Sequence, residues 1–136
     1  MIDFFGSDIH SLHHLKQFGN KILVKNYELI EKKITRKTKA LIVVHLFGNP
    51  CNMTEIKKIC KKNKLKLIED CAQSFGAKFN NKQTGTFGDF GCFSFFPTKN
   101  LGCYGDGGII TTNSSQYAKK LQMLRNHGGL ERNNHI

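Results

Sequence analysis

Arginine, acidic residues and long apolar runs are all scarce in this 136-residue chain. Arginine stands only at Arg36, Arg125 and Arg132, so the formal net charge of +11 is almost wholly lysine. Lysine lacks the planar fork with which arginine reads phosphates and bases. Many of the lysines also fall in KK steps (Lys32-Lys33, Lys57-Lys58, Lys61-Lys62, Lys119-Lys120) inside amphipathic stretches, as solvent-facing residues do. Charge alone speaks for nucleic acid and no motif joins it, so an anionic small substrate is the expected partner instead. No segment approaches the roughly 18 apolar residues of a membrane span. The start, MIDFFGSDIH, has an early aspartate and no basic region before an apolar run, which excludes a signal-peptide reading. A cytoplasmic protein is the expectation.

Paired-cysteine motifs are absent too. Cys51, Cys60, Cys71, Cys92 and Cys103 form no C-x-x-C, and their odd number points to reduced thiols. His10, His13 and His14 include an i, i+3 pair, but read as a polar turn or frayed helix rather than a metal site. What remains is ordinary for one soluble domain: 39% hydrophobic and 23% charged residues.

From Tyr27 the pattern sharpens. YELIEKKI puts Leu29, Ile30 and Ile34 on one stripe and predicts a short helix. ALIVVHLF, from Ala40, is a β-branched run of strand length, apolar enough for burial on both faces, and closes at Gly48-Asn49-Pro50. Thr54 reads as the N-cap of a helix over EIKKICKKN, with Ile56, Ile59 and Cys60 facing inward. KLKLIED, from Lys64, is the next strand, and the short loops predict a parallel pair. FNNKQTGTFGD is rich in turn formers; GCFSFF and GGIITTN follow as third and fourth strands. Ser114 or Ser115 can cap a last helix that ends at Gly128. The fold class is α/β, a mainly parallel sheet flanked by helices.

Ligands of such sheets bind beyond the carboxyl ends of the strands. Falling there are His45, the Glu69-Asp70 pair with Gln73 a turn later, and Ser94 with Lys99. A lysine among apolar neighbours is poised for Schiff-base chemistry, because desolvation disfavours its ammonium form. An aspartate at a neighbouring strand end can face a protonated pyridine nitrogen, and a serine can donate to a phosphate. These are the groups pyridoxal phosphate requires. Plainer readings stand beside each. Lys99 can snorkel to water, Asp70 can cap the following turn, and Ser94 can bond its own backbone. His45 reads as a satisfied polar residue, and GCYGDGG, lacking a G-K-[ST] ending, as a turn.

IEDCAQSFGA, then GTFGDFGCFSFFPTKNLGCYGDGGIITTN, then LRNHG closely resemble the sugar-nucleotide aminotransferases of the DegT/StrS family. The likeness covers about residues 27–129 and extends upstream through ITRKTKALIVVHLFGNPCNMTEIKKICKKNKLKLIED. It implies a pyridoxal-phosphate enzyme of the aspartate-aminotransferase fold, fold type I. Lys99 would hold the cofactor covalently and move protons, and Asp70 would pair with the pyridine nitrogen. Gln73 would lie near the phenolic oxygen and Ser94 would bind the phosphate. Relatives with histidine at the lysine position act as dehydratases, so Lys99 favours transamination. The implied reaction takes an amino group from an amino acid, usually glutamate, to a keto group on a nucleotide-linked sugar. The implied assembly is a homodimer.

Family members are considerably longer than this chain. The resemblance therefore implies a central fragment: residues 1–24 as a poorly matched segment and 25–136 as part of the cofactor-binding large domain. Its N-terminal part and the small C-terminal domain would be absent, through truncation, frameshift or a split gene. The alternatives are a non-catalytic remnant or binding module that keeps the site motifs and, from charge alone, a basic nucleic-acid-binding domain.

Overall fold

The computed structural model of the chain describes residues 27–126. His10, His13, His14 and the expected helix end at Gly128 lie outside them. In chain order the elements begin with α1 (Tyr27–Lys33), β1 (Ala40–Val44) and α2 (Met53–Lys62). β2 (Lys66–Asp70) and the two-residue strands β3 (Lys78–Phe79) and β4 (Lys82–Gln83) follow. β5 (Phe90–Ser94), β6 (Gly108–Thr111) and α3 (Ser115–Arg125) complete the series.

The main sheet runs in the order β1-β2-β5-β6. β1 pairs in parallel with β2, and β2 with β5; β6 lies antiparallel on β5. The expected α/β class with a mainly parallel sheet is what the chain adopts. β3 and β4 form a separate antiparallel hairpin that the turn-rich reading did not anticipate. Its signal was Asn80-Asn81, both at positive φ (48° and 61°), as a two-residue type I′ loop requires.

α2 is amphipathic because Met53, Ile56 and Cys60 recur at helical spacing. They pack with Leu41 and Val43 of β1 and Leu67 of β2 into one buried cluster, edged by Ile30, Cys51, Leu65, Phe79 and Phe87. Alternation along the strands sends Ile42, Val44 and Ile68 to the opposite face, where they are only half-buried. The apolar run of β1 is thus buried on one face and part-covered on the other. Leu29, expected on the inward stripe of α1, is 49% exposed, whereas Ile30 reaches the core. α3 docks through Tyr117, whose ring centroid lies 5.0 Å from that of Phe90. Among the described residues no helix is long and apolar enough to cross a membrane.

Two boundaries differ from the sequence reading. β5 begins at Phe90 and ends at Ser94, so Phe95 and Phe96 lie beyond the strand. The N-cap of α2 is Asn52, whose side chain accepts from the Glu55 N–H at 3.3 Å, and Thr54 sits exposed inside the helix. Asparagine wins because its carbonyl reaches the N–H three residues on, leaving Thr54 no orphan donor to satisfy. Ser114 does cap α3, accepting from the Tyr117 N–H. Asn52→Ala should lower unfolding stability by about 1 kcal/mol, whereas Thr54→Ala should change it by less than about 0.5 kcal/mol; urea denaturation distinguishes the two.

Candidate functional site

Successive residues of β2 face opposite ways, and this separates the Glu69-Asp70 pair. Glu69 turns inward and is fully buried, as is His45 just past β1. One Glu69 oxygen accepts the Phe87 and Gly88 N–H groups, both at 2.7 Å. The other accepts the Gly85 N–H at 2.8 Å and meets His45 Nε2 at 3.0 Å. Burial raises the Glu69 pKa, but the His45 bond and the N–H groups of Gly88, Gly85 and Phe87 outweigh it. The net shift is downward from the ordinary 4.5.

Burial likewise opposes a charge on His45, while the Cys51 side chain and Glu69 act in favour of one. The hydrogen bonds pull the other way. The Cys51 backbone N–H donates to His45 Nδ1 at 3.1 Å, so a second ring proton would collide with it. That geometry decides for a neutral ring whose one proton, on Nε2, goes to Glu69. His45 is the satisfied residue the sequence suggested. The structural weight of Glu69 had no local signal, because its partners lie 16 to 24 residues away in sequence.

Glu69, His45 and Cys71 bring potential ligand atoms within 4.8 Å of one another. A metal would have to displace the bonds that saturate Glu69 and then ionise Cys71, whose thiol burial pushes up to about 11. This cluster is a structural knot. All five cysteines are free.

The four expected site residues gather at the carboxyl edge of the sheet. Asp70 faces away from Glu69, and its register partner on β5 is Cys92. Alternation places Asp70, Cys92 and Ser94 on one face; accordingly burial first, and the Asp70 charge second, raise the Cys92 pKa. Asp70 Oδ1 accepts from the Ala72 N–H at 3.0 Å, closing a turn, while Oδ2 has no hydrogen-bond partner among the described residues. Ser94 Oγ accepts from the Phe96 N–H at 3.3 Å, which leaves its hydroxyl proton free to donate.

Lys99 lies beyond β5, half-buried, with its N–H on the Phe96 carbonyl at 2.8 Å. Phe96 itself is 47% exposed, so the aromatic run does not enclose the lysine as its sequence suggested. Lys99 instead lines an open cleft of about 440 Å³ with Phe47, Gln73, Thr98 and Asn100. Asp70 and Ser94 share its edge of the sheet but not its walls. Phe47 was not singled out in the sequence. It has φ 54° and ψ 28°, a left-handed backbone that costs a non-glycine residue roughly 1–2 kcal/mol, and its N–H donates to Gln73 Oε1 at 3.0 Å. GCYGDGG is an exposed turn leading into β6 with no helix directly after it.

The sequence profile of the DegT/DnrJ/EryC1/StrS aminotransferase family matches residues 20–135. The chain belongs to this family. A DegT-family relative from Acidithiobacillus ferrooxidans, UDP-N-acetyl-3-dehydro-alpha-D-glucosamine 3-aminotransferase, is 51% identical over 106 residues, 78% of this chain and 29% of its own length. Among solved structures, Streptomyces venezuelae DesV in complex with a ketimine intermediate superposes with a TM-score of 0.77 at 41% identity. That match covers 80% of this chain and 29% of DesV. NtdA from Bacillus subtilis with bound cofactor PMP gives a TM-score of 0.72 at 36% identity, over 79% of this chain and 24% of NtdA. The chain thus spans under a third of the length of these DegT-family relatives, and over that span it shares their α/β architecture.

The depressed pKa of Glu69 fixes a pH dependence. A group held below its unfolded value contributes stability in full above that value, 4.5 here, and loses it as pH falls through the folded pKa. The Glu69 contribution, read as the difference in urea midpoint between wild type and Glu69→Gln, should therefore hold steady from neutral pH down to about 4.5 and then fall. Glu69→Gln, which sets an NH2 against backbone donors, should be less stable at neutral pH and lack that acid limb.

Proposed function

We propose that this chain is the cofactor-carrying part of a pyridoxal-phosphate-dependent aminotransferase. Its amino group would come from an amino acid, glutamate being the expected donor, and pass to a keto group on a nucleotide-linked sugar. The observation that carries this reading is the convergence of Lys99 and Gln73 in one cleft, at the strand edge that also carries Asp70 and Ser94. Residues 25–136 are read as part of the large domain, working in a homodimer in the cytoplasm, with no nucleic-acid partner.

The donor set fits the cofactor. Asp70 keeps one carboxylate oxygen unbonded, which suits a protonated ring nitrogen, and a charge-assisted bond of that kind contributes roughly 1.5–3 kcal/mol. The Ser94 hydroxyl has a proton to give a phosphate oxygen. Lys99 Nζ offers a primary amine that can form a covalent bond to an aldehyde and carry a proton between neighbouring atoms. Gln73 offers a neutral amide to an oxygen on the ring. When bound, pyridoxal phosphate supplies the electron sink for charge developing beside the transferred nitrogen. With that group bound, Asp70 would keep its ring nitrogen charged and Lys99 would hold the mobile proton.

Titrating the purified chain with pyridoxal phosphate tests the reading. An absorbance band saturating at a single equivalent is expected, and Lys99→Ala should abolish it; surface lysines would react without saturating. Glutamate should then convert the band. No saturable band would overturn cofactor binding by this chain, and a band that glutamate leaves unchanged would identify a binding module without turnover. Retention on DNA at physiological salt, insensitive to Lys99→Ala, would favour the nucleic-acid alternative.

A further inference from the structure

The amide of Gln73 has two ends that differ in chemistry, and the structure fixes which end is already bonded. A backbone N–H can only donate, so the Gln73 atom 3.0 Å from the Phe47 nitrogen must be the carbonyl oxygen. The other end of the planar amide is then the NH2, with two protons and no hydrogen-bond partner among the described residues. Both residues line the cleft that holds Lys99.

The Phe47 N–H reaches that position through an unusual backbone. Phe47 and Gly48 are both at positive φ, 54° and 74°, in the tight turn that follows β1. For glycine this is free; for a bulky residue it is an outlier held in place by its surroundings. The Phe47 ring does not supply the hold, being 78% exposed. Holding the turn from either side are the Asn49 N–H, bonded to the Leu46 carbonyl at 3.0 Å, and the Gln73 contact itself.

We propose that Phe47 is a positioning residue, whose left-handed backbone pins the Gln73 carbonyl and so presents the Gln73 NH2 as an obligate donor to an oxygen anion bound beside Lys99. The ligand half of this inference rests on the proposed cofactor, whose ring oxygen is the natural acceptor; the positioning half does not. Glutamine is then the required residue at 73, because an ionised glutamate would meet the same ligand with an acceptor.

A double-mutant cycle on the full chain without cofactor tests the positioning half. Phe47→Val disfavours positive φ and should break the bond, whereas Phe47→Gly keeps both the N–H and the backbone. Gln73→Ala should lower the urea midpoint as much in the Phe47→Gly chain as in wild type, and clearly less in the Phe47→Val chain. Equal losses in all three backgrounds would overturn it; if Phe47→Val fails to fold, Phe47→Ala, which also disfavours positive φ, takes its place in the cycle. Pyridoxal-phosphate titration tests the ligand half. Gln73→Ala should weaken binding on the order of tenfold or more, Gln73→Glu at least as much, and Phe47→Val more than Phe47→Gly. The pH at which the bound cofactor changes colour should also shift in Gln73→Ala, which a merely structural role would not move. Unchanged affinity and colour in Gln73→Ala would overturn the donor role. A wild-type chain without a saturable band would overturn the proposed function and the ligand half together, while the cofactor-free cycle still decides the positioning half.

Discussion

A single buried carboxylate organises this chain. Glu69 collects three backbone N–H groups from residues 85–88 and the ring N–H of His45, which in turn is pinned by the Cys51 N–H. One side chain thereby joins the exit of β1, the end of β2 and the loop that feeds β5. Removing it would leave four donors without their acceptor, two of them fully buried, at a loss of roughly 1–3 kcal/mol for each that water does not reach. The sum is comparable with the whole stability of an ordinary domain, about 5–15 kcal/mol. Hydrophobic packing under α2 is necessary, but it does not dictate where the 85–88 loop lies; the carboxylate does.

The same loop is held from its other side by close backbone approach. A Cβ on Gly91 would overlap the Cα and carbonyl oxygen of Gly85, so β5 can pass this tightly only with glycine there. Thr111 of β6 donates its hydroxyl to that Gly85 carbonyl at 2.6 Å. Asp89, at the start of β5, accepts from the Leu67 N–H and from Lys66 Nζ, both at 2.9 Å. The edge bearing Asp70, Ser94 and Lys99 is therefore built on a strand anchored at its start by charge and in its middle by steric fit. Chemistry at one end of β5 depends on contacts made at the other.

Much of this was legible in advance, and the unread part has a common cause. β1, α2 and β2 could be read because their apolar periodicity is local and their loops are short. The hairpin at Asn80-Asn81 carried a local signal that the general turn richness of FNNKQTGTFGD masked. Asn52 and Thr54 both satisfy the composition rule for a cap, and only the geometry of the N–H groups chooses between them. Glu69, Phe47 and the enclosure of Lys99 could not be read locally, since each depends on which distant segments meet. An acidic pair at a strand end announces a functional edge, but not which acid is spent on the scaffold.

That division of labour makes the register of β2 a chemical variable. Side chains alternate along a strand, so a slip of one residue against β1 and β5 that carries Asp70 into the place of Glu69 also carries Cys71 into the place of Asp70. The buried knot would then receive the shorter aspartate, too short to span both Gly85 and His45, and the open edge would receive a thiol. Misfolding at this strand would thus cost both features at once, leaving a scaffold without its clasp beneath an edge without its carboxylate. Pairing β2 correctly is thus the step at which folding and chemical competence are decided together.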